Sequence, residues 1–433
     1  MLLIYVPVSS SRSEYIFELV FKNQLLLEYG VTTDLKIFNA HQHEKINYSF
    51  SRIGDEFFIR ASSLLFESLI KETGIIVEEK FNTKVLFPND KYCDIGFDIF
   101  SAIFFMVSRY EEYLPFVPDR HGRFKATDTL AYKNNFLRLP VVDIWINRLK
   151  NVLLNRFASL KIGASYFKAI VTYDIDVAYK FKGRSFLRIT KATLMDLLKL
   201  HFKNIYSRIQ TLNNNRKDPW DVYNYLQETI VQHKLHSIFF FLLSDGSFYD
   251  RDLDHKNPLV KKLVDTIKSF SEIGIHPSYS TSLSPGKILQ QKKRLETLSG
   301  KPVNKSRQHF LKFILPETYN FLIQAGITED YSMGFSNMPG FRAGTCKPFY
   351  FYDLKNERST RLKIFPVTLM EGAYIDYQAL PPSGALTDIF ELTEAVKNVS
   401  GTFISIWHNH TVSETDEFRD WKKVHDQMIQ VIR

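Results

Sequence analysis

Two α/β units in tandem, the second built on a parallel sheet, are what this chain of 433 residues predicts. Three observations carry that reading. Short apolar runs of strand length alternate with stretches of helical period along most of the chain. In the second half the runs are spaced as strand–helix crossovers are, and such crossovers join parallel strands, open or closed as a barrel. The residues just past those runs are repeatedly Asp, His, Glu or Arg, at the edge where parallel sheets place their sites.

Residues 1–160 form the first unit. Positions 2–8, 56–59 and 84–86 read as strands, and 13–29 and 61–71 as helices. Between 94 and 114, Phe97, Ile99, Ile103, Phe104 and Val107 recur at helical spacing. A polar loop over 118–124 follows, in which His121 stands beside two arginines. It is a connector or a contact between units, with an anionic ligand as the alternative. A further helix is predicted over 141–157. The second unit covers 161–433. Its strands are 169–173, 238–243, 273–276, 364–367 and 402–407; its helices are 188–211, 219–233, 257–270, 285–298, 316–325 and 387–398. Asp218-Pro219 reads as an N-cap followed by proline at the first helical position.

Hydrophobic content of 45% and charged content of 24% are ordinary for a globular protein. The opening residues lack a basic leader, and their apolar run is short for a signal peptide. No uninterrupted apolar run reaches the roughly 18 residues of a membrane span. Cys93 and Cys346 are the only cysteines, too few for a disulfide framework. A cytoplasmic protein is therefore expected. The formal charge of +9 is concentrated: residues 180–217 hold ten Lys or Arg against Asp196 alone. No zinc-finger spacing or RNA-binding motif accompanies them, so nucleic acid is not an expected partner. Leu187, Ile189, Leu194, Leu197, Leu198 and Phe202 fall between these cations at roughly helical spacing. Such a cationic amphipathic segment rests on an anionic membrane face or packs on the first unit.

The candidate site is gathered from the strand ends. Asp174 and Asp176 close the run Ala169-Ile170-Val171-Thr172-Tyr173, and side chains two apart on a strand point to one side. Two carboxylates meeting at one point call for a cation or a shared proton. Ser244-Asp245-Gly246, His276, Arg342, Glu371 and Trp407-His408-Asn409-His410 follow at later strand ends. Aspartates, histidines and an arginine at one sheet edge make a carboxylate–imidazole metal site with an accessory charge.

In this order the residues resemble the polysaccharide deacetylases, the NodB-homology group of carbohydrate esterases (carbohydrate esterase family four-like), over 168–433. The resemblance implies a distorted (β/α) barrel preceded by a smaller α/β domain. It also implies removal of acetyl groups from a sugar or glycan with a divalent metal, commonly zinc. Carried over by position, Asp174 is the catalytic base and Asp176 a metal ligand. His276 opens a His-x-x-x-His metal motif, Arg342 holds the base, and His408 or His410 is the general acid. Two departures stand out. Ile175 separates the aspartates, and Ser280 falls where the second metal histidine belongs, although a hydroxyl is a poor zinc ligand. His309 is the expected replacement, with a surface histidine as the alternative. Glu371 holds the general acid or Arg342, or is a solvated strand end. Tyr173, Tyr279, Phe341 and Trp407 form an apolar floor and sugar-stacking face, or belong to the core. The expected activity is metal-dependent deacetylation. The rival readings are an inactive glycan-binding module of the same fold and a basic membrane-surface scaffold organised by 180–217.

Overall fold

The computed structural model describes residues 1–89 and 92–433. Its first strand, β1 (Leu2–Tyr5), buries Leu2, Leu3 and Ile4, as a strand covered on both faces of a parallel sheet must. With β2 (Tyr29–Thr32), β3 (Lys45–Ser49) and β4 (Phe57–Arg60) it forms a parallel sheet of order β2-β1-β3-β4. A separate antiparallel ribbon joins β5 (Val77–Lys80) to β6 (Thr83–Leu86). The helix expected over 13–29 starts at Ser11, because Ser10 and Ser13 cap it reciprocally. It continues as the π-helical stretch Glu18–Gln24, and Tyr29 already belongs to β2. Residues 61–71, expected to be helical, hold only the turn Ser63–Phe66. Leu64 and Leu65 are buried there, so their spacing reports core contact and not a helix.

The second sheet has nine strands: β7 (Lys168–Ile175), β8 (His236–Phe241), β9 (Glu272–Ile275), β10 (Lys305–Ser306), β11 (Glu329–Asp330), β12 (Phe349–Asp353), β13 (Arg358–Ile364), β14 (Leu369–Met370) and β15 (Thr402–His408). Their order is β12-β13-β11-β10-β9-β8-β7-β15-β14, parallel except for β12 against β13. β13 and β14 lie in one run, 358–370. Lys363 and Ile364 pair with β11, and Leu369 and Met370 pair with β15. β13 and β14 thus stand near opposite edges of the strand order although they are close in sequence, with no ladder between them. The single helix expected over 188–211 is two, Phe186–Leu198 and Phe202–Leu212, broken at Leu200, whose φ is 57°. Asp218 does not cap the next helix, which begins at Tyr223. Its carboxylate instead takes the N–H groups of Lys180, Phe181, Lys182 and Trp220.

One apolar cluster runs through both sheets, and a buried ion pair crosses it. Glu112 follows the helix Ile99–Val107. Arg342 Nε and Nη2 donate to its two oxygens at 2.9 and 2.6 Å, and Arg109 Nε donates at 2.8 Å. Burial alone would raise the Glu112 carboxyl, but the two guanidinium groups outweigh it and hold it low. Arg342, expected to hold Asp174, is thus spent on Glu112 in the first half of the chain, with Phe313 and Phe335 against its guanidinium. Phe341 beside it is core, 1% exposed, and not part of a sugar face. Gly340 makes this docking possible. At φ +135° it lies so close to the Leu137 carbonyl that a Cβ would stand 2.7 Å from the oxygen.

Glu112→Ala leaves Arg342 buried without a counter-charge and Arg109 with Glu111 as its remaining carboxylate. A stability loss of about 3–5 kcal/mol is expected, read as a lower urea midpoint at unchanged slope. Glu317→Ala, which breaks the exposed pair with Lys355, is expected to cost less than about 1 kcal/mol.

Candidate metal centre

β7 carries its residues to the site by parity. Thr172, Asp174 and Asp176 fall on one side, and Tyr173 falls on the other. In register, His408 of β15 lies beside Asp174, and Trp407 lies beside Tyr173. Tyr173 and Trp407 therefore face away from the site. The Tyr173 hydroxyl meets His425 Nε2 at 2.9 Å, and the Trp407 ring packs edge-on to the same imidazole. Both are fully buried core, so neither forms a floor for a ligand.

His276 enters from the end of β9 and His309 from just past β10. Their Nε2 atoms lie 3.2 and 3.3 Å from Asp176 Oδ1 and Oδ2. Each ring is held from behind. His276 Nδ1 is 2.5 Å from the Arg307 carbonyl, and His309 Nδ1 is 2.9 Å from Asp250 Oδ1. Both acceptors can only accept, so both Nδ1 atoms carry the proton, and in the neutral rings the Nε2 lone pairs face a carboxylate. Lone pairs facing a carboxylate repel unless a cation or protons lie between them. With protons there, His309 is raised to about 9: burial would lower it, but Asp176 and Asp250 outweigh that. Burial would likewise raise Asp176, but His309, His276 and His408 hold its carboxyl well below the usual range. The three ligand atoms lie within 4.8 Å of one another. Two imidazole nitrogens with fixed tautomers and one carboxylate fit a divalent cation such as zinc, with acceptors behind both rings as such sites have. Ser280 contributes nothing to the centre. It is exposed, and its hydroxyl lies 3.4 Å from Lys287 Nζ.

Asp174 sits on the flank, its Oδ2 3.7 Å from His276 Nε2. Its other oxygen takes Arg307 Nη1 at 2.9 Å. That guanidinium is fully buried, bonded to Thr172 Oγ1 and the Tyr331 carbonyl, and seated over Phe240. Arg307, and not Arg342, is the arginine on Asp174. His408 lies on the opposite flank. Its Nδ1 is 2.7 Å from Glu371 Oε1 and its Nε2 is 3.5 Å from Asp176 Oδ2. Burial would lower its pKa, but Glu371 and then Asp176 outweigh this and raise it to about 10. The same Glu371 oxygen also receives the His408 N–H and the Thr411 hydroxyl. His410 turns aside onto Trp220 and Phe418, and burial together with the charge on His408 pushes it down to about 4.

These groups line a cavity of about 230 Å³ with Phe310, Leu311, Met370 and Tyr377 in its wall. Phe310 has φ 62°, a left-handed conformation rare for an aromatic residue. Its carbonyl accepts from Arg123 Nη1 at 2.7 Å, so the polar loop over 118–124 touches the second half of the chain. Tyr279, expected in a sugar face, is not among the residues lining the cavity; it stacks on Tyr249 with centroids 4.1 Å apart, and its hydroxyl lies 3.1 Å from His121 Nδ1. Arg307 and Asp250 are the participants the sequence reading assigned no role. Arg307 was within reach of the same parity that pairs Asp174 with Asp176, since it precedes His309 by two positions. Asp250 lies in a loop and leaves no periodic signal.

Residues 2–158 match a family described as a family of unknown function (DUF7033). No curated protein matches the chain. Among solved structures, the chain is similar to a candidate polysaccharide deacetylase from Mycobacterium smegmatis, with 13% identity, 62% of this chain and 84% of that one covered, and a TM-score of 0.40. It is also similar to a candidate glycoside hydrolase/deacetylase from Parabacteroides distasonis (12% identity, 62% and 66% covered, TM-score 0.37). A third likeness is to a CE4 family pseudoenzyme from Bacillus anthracis (11%, 62% and 66%, TM-score 0.31). None of these decides activity. The chemistry has to be read from the centre.

The dialysed protein is expected to retain or take up one zinc per chain, measured by atomic emission and titration calorimetry. Asp176→Asn, His276→Ala and His309→Ala should each abolish stoichiometric binding. Asp250→Asn should weaken it about 10–100-fold through the ring it orients. Affinity should fall as pH is lowered, since protons compete for the two Nε2 atoms.

Proposed function

We propose that the protein is a metal-dependent hydrolase that removes an acetyl group, most simply an N-acetyl group, from a sugar or glycan precursor, and that 168–433 form a distorted (β/α) barrel. One observation carries this reading. A carboxylate faced by two imidazoles with fixed tautomers is flanked on one side by an arginine-held carboxylate and on the other by a glutamate-held histidine. Amide hydrolysis needs those parts: a base for water on one side of the acyl carbon, and a proton donor for the leaving amine on the other.

Asp176, His276 and His309 would hold the cation, which supplies Lewis acidity toward water and an acyl oxygen. Asp174 takes the proton from water. The Arg307 guanidinium keeps it aimed, and a charge-assisted bond of this kind favours the ionised carboxylate. His408 gives its Nε2 proton to the departing nitrogen. Glu371 supports that role by accepting from Nδ1, which fixes the ring and stabilises its charged form. Among the described residues His410 Nδ1 has no such partner, and the ring serves in the wall. Phe310, Leu311 and Met370 offer an apolar seat for an acyl methyl beside these polar groups.

Acetate release from a panel of N-acetylated sugars by the zinc-loaded protein tests this. Asp174→Asn should cut kcat by about 10²–10⁴ with zinc retained. His408→Gln should do the same on the amide but far less on 4-nitrophenyl acetate, whose leaving group needs no proton. His410→Gln should change neither by more than a few-fold. Bound zinc with no acetate from any substrate would make the protein a binding module of this fold.

A further inference from the structure

The helices Phe186–Leu198 and Phe202–Leu212 form a hairpin inserted between β7 and the crossover helix Tyr223–His233. It leaves the sheet at the edge that carries the metal centre. At its return, Trp220 packs on His410 with ring centroids 5.2 Å apart, and Asn409 holds the carbonyls of Val177 and Trp220. No residue of its first helix is buried. Phe186, Leu187 and Leu198 are 78%, 79% and 70% exposed, and Phe202 on the second helix is 59% exposed. Single exposed apolar residues are ordinary, but a cluster of this size on one projecting element marks an interaction surface.

Charge specifies the partner. The excess of nine positive charges over 180–217 equals the formal +9 of the whole chain, so the remainder is balanced. Asp196, the one acid, is taken by Arg208. A cavity of about 690 Å³ between the hairpin and the neighbouring loops is walled by Lys180, Arg184, Arg188, Lys191 and Arg251. Among the described residues none of these five is held in an ion pair. Arg184 and Arg251 donate only to backbone carbonyls, those of Arg251 and Phe248 among them. Clustered cations outside ion pairs, set among exposed Leu and Phe, match a surface that offers phosphate groups above hydrocarbon.

We propose that this hairpin docks the protein on an anionic lipid bilayer, its apolar side chains entering the interface and its Lys and Arg taking the lipid phosphates. A second copy of the chain is the poorer occupant, because two such hairpins repel. Nucleic acid would leave the aliphatic side chains unused. The contact is peripheral, since no helix among the described residues is long and apolar enough to cross a membrane. It is independent of the hydrolase reading.

Flotation of the full chain with vesicles decides it. Binding is expected to phosphatidylcholine vesicles containing about 30% phosphatidylglycerol, with little to phosphatidylcholine alone, and it should weaken strongly in high salt. Arg188→Ala/Lys191→Ala and, separately, Leu187→Ser/Leu198→Ser/Phe202→Ser should each lower partitioning about tenfold or more. Their urea midpoints should stay at the wild-type value, because every substituted side chain is exposed. No flotation, equal flotation with neutral vesicles, or variants that float like the wild type would overturn the proposal. So would a dimer that the triple variant dissociates while no vesicle binds.

Discussion

Two imidazole rings, each turned by an Nδ1–H bond toward the same carboxylate, set the terms for this sheet edge. Without the Arg307 carbonyl and Asp250 behind them, His276 and His309 would be free to flip or change tautomer, and Asp176 would face a different pair of atoms. Arg307 does this and more. Its carbonyl orients one ring while its guanidinium holds Asp174, so one residue positions both a candidate ligand and the candidate base. That coupling explains its complete burial in a wall of Phe240, Tyr331 and Thr172.

The second imidazole at the centre also has a local explanation. Where a His-x-x-x-His motif would draw both rings from one loop, here the second comes from the next strand. Ser280 points to solvent while His309 occupies the facing position. A ring brought in from another strand needs its own support, and Asp250 provides it.

Much of this was legible in sequence because strand parity is a strong rule. Asp174 and Asp176 share a side, and His276 and His408 end strands whose apolar runs were long enough to read. The same rule, applied one residue over, removes Tyr173 and Trp407 from the site, since each precedes a residue that faces it. What parity could not reach were β10, β11 and β14, two residues each and too short to carry a pattern. Arg342 misled because its setting, an arginine between glycines at a loop, is equally that of a residue docking two units. Only the partner, Glu112, some 230 positions away, distinguishes the two. Helical spacing over 61–71 failed for a related reason: Leu64 and Leu65 pack on a core that the local pattern does not reveal.

The hold of Arg123 on Phe310 ties the two halves of the chain at the most sensitive point available. Phe310 directly follows His309, and the same guanidinium reaches the Tyr377 hydroxyl on the other wall of the cavity. The N-terminal half is therefore a buttress as well as a neighbour. A shift of that loop moves a single peptide plane, and the His309 ring next to it carries the movement straight to the Asp176 carboxylate.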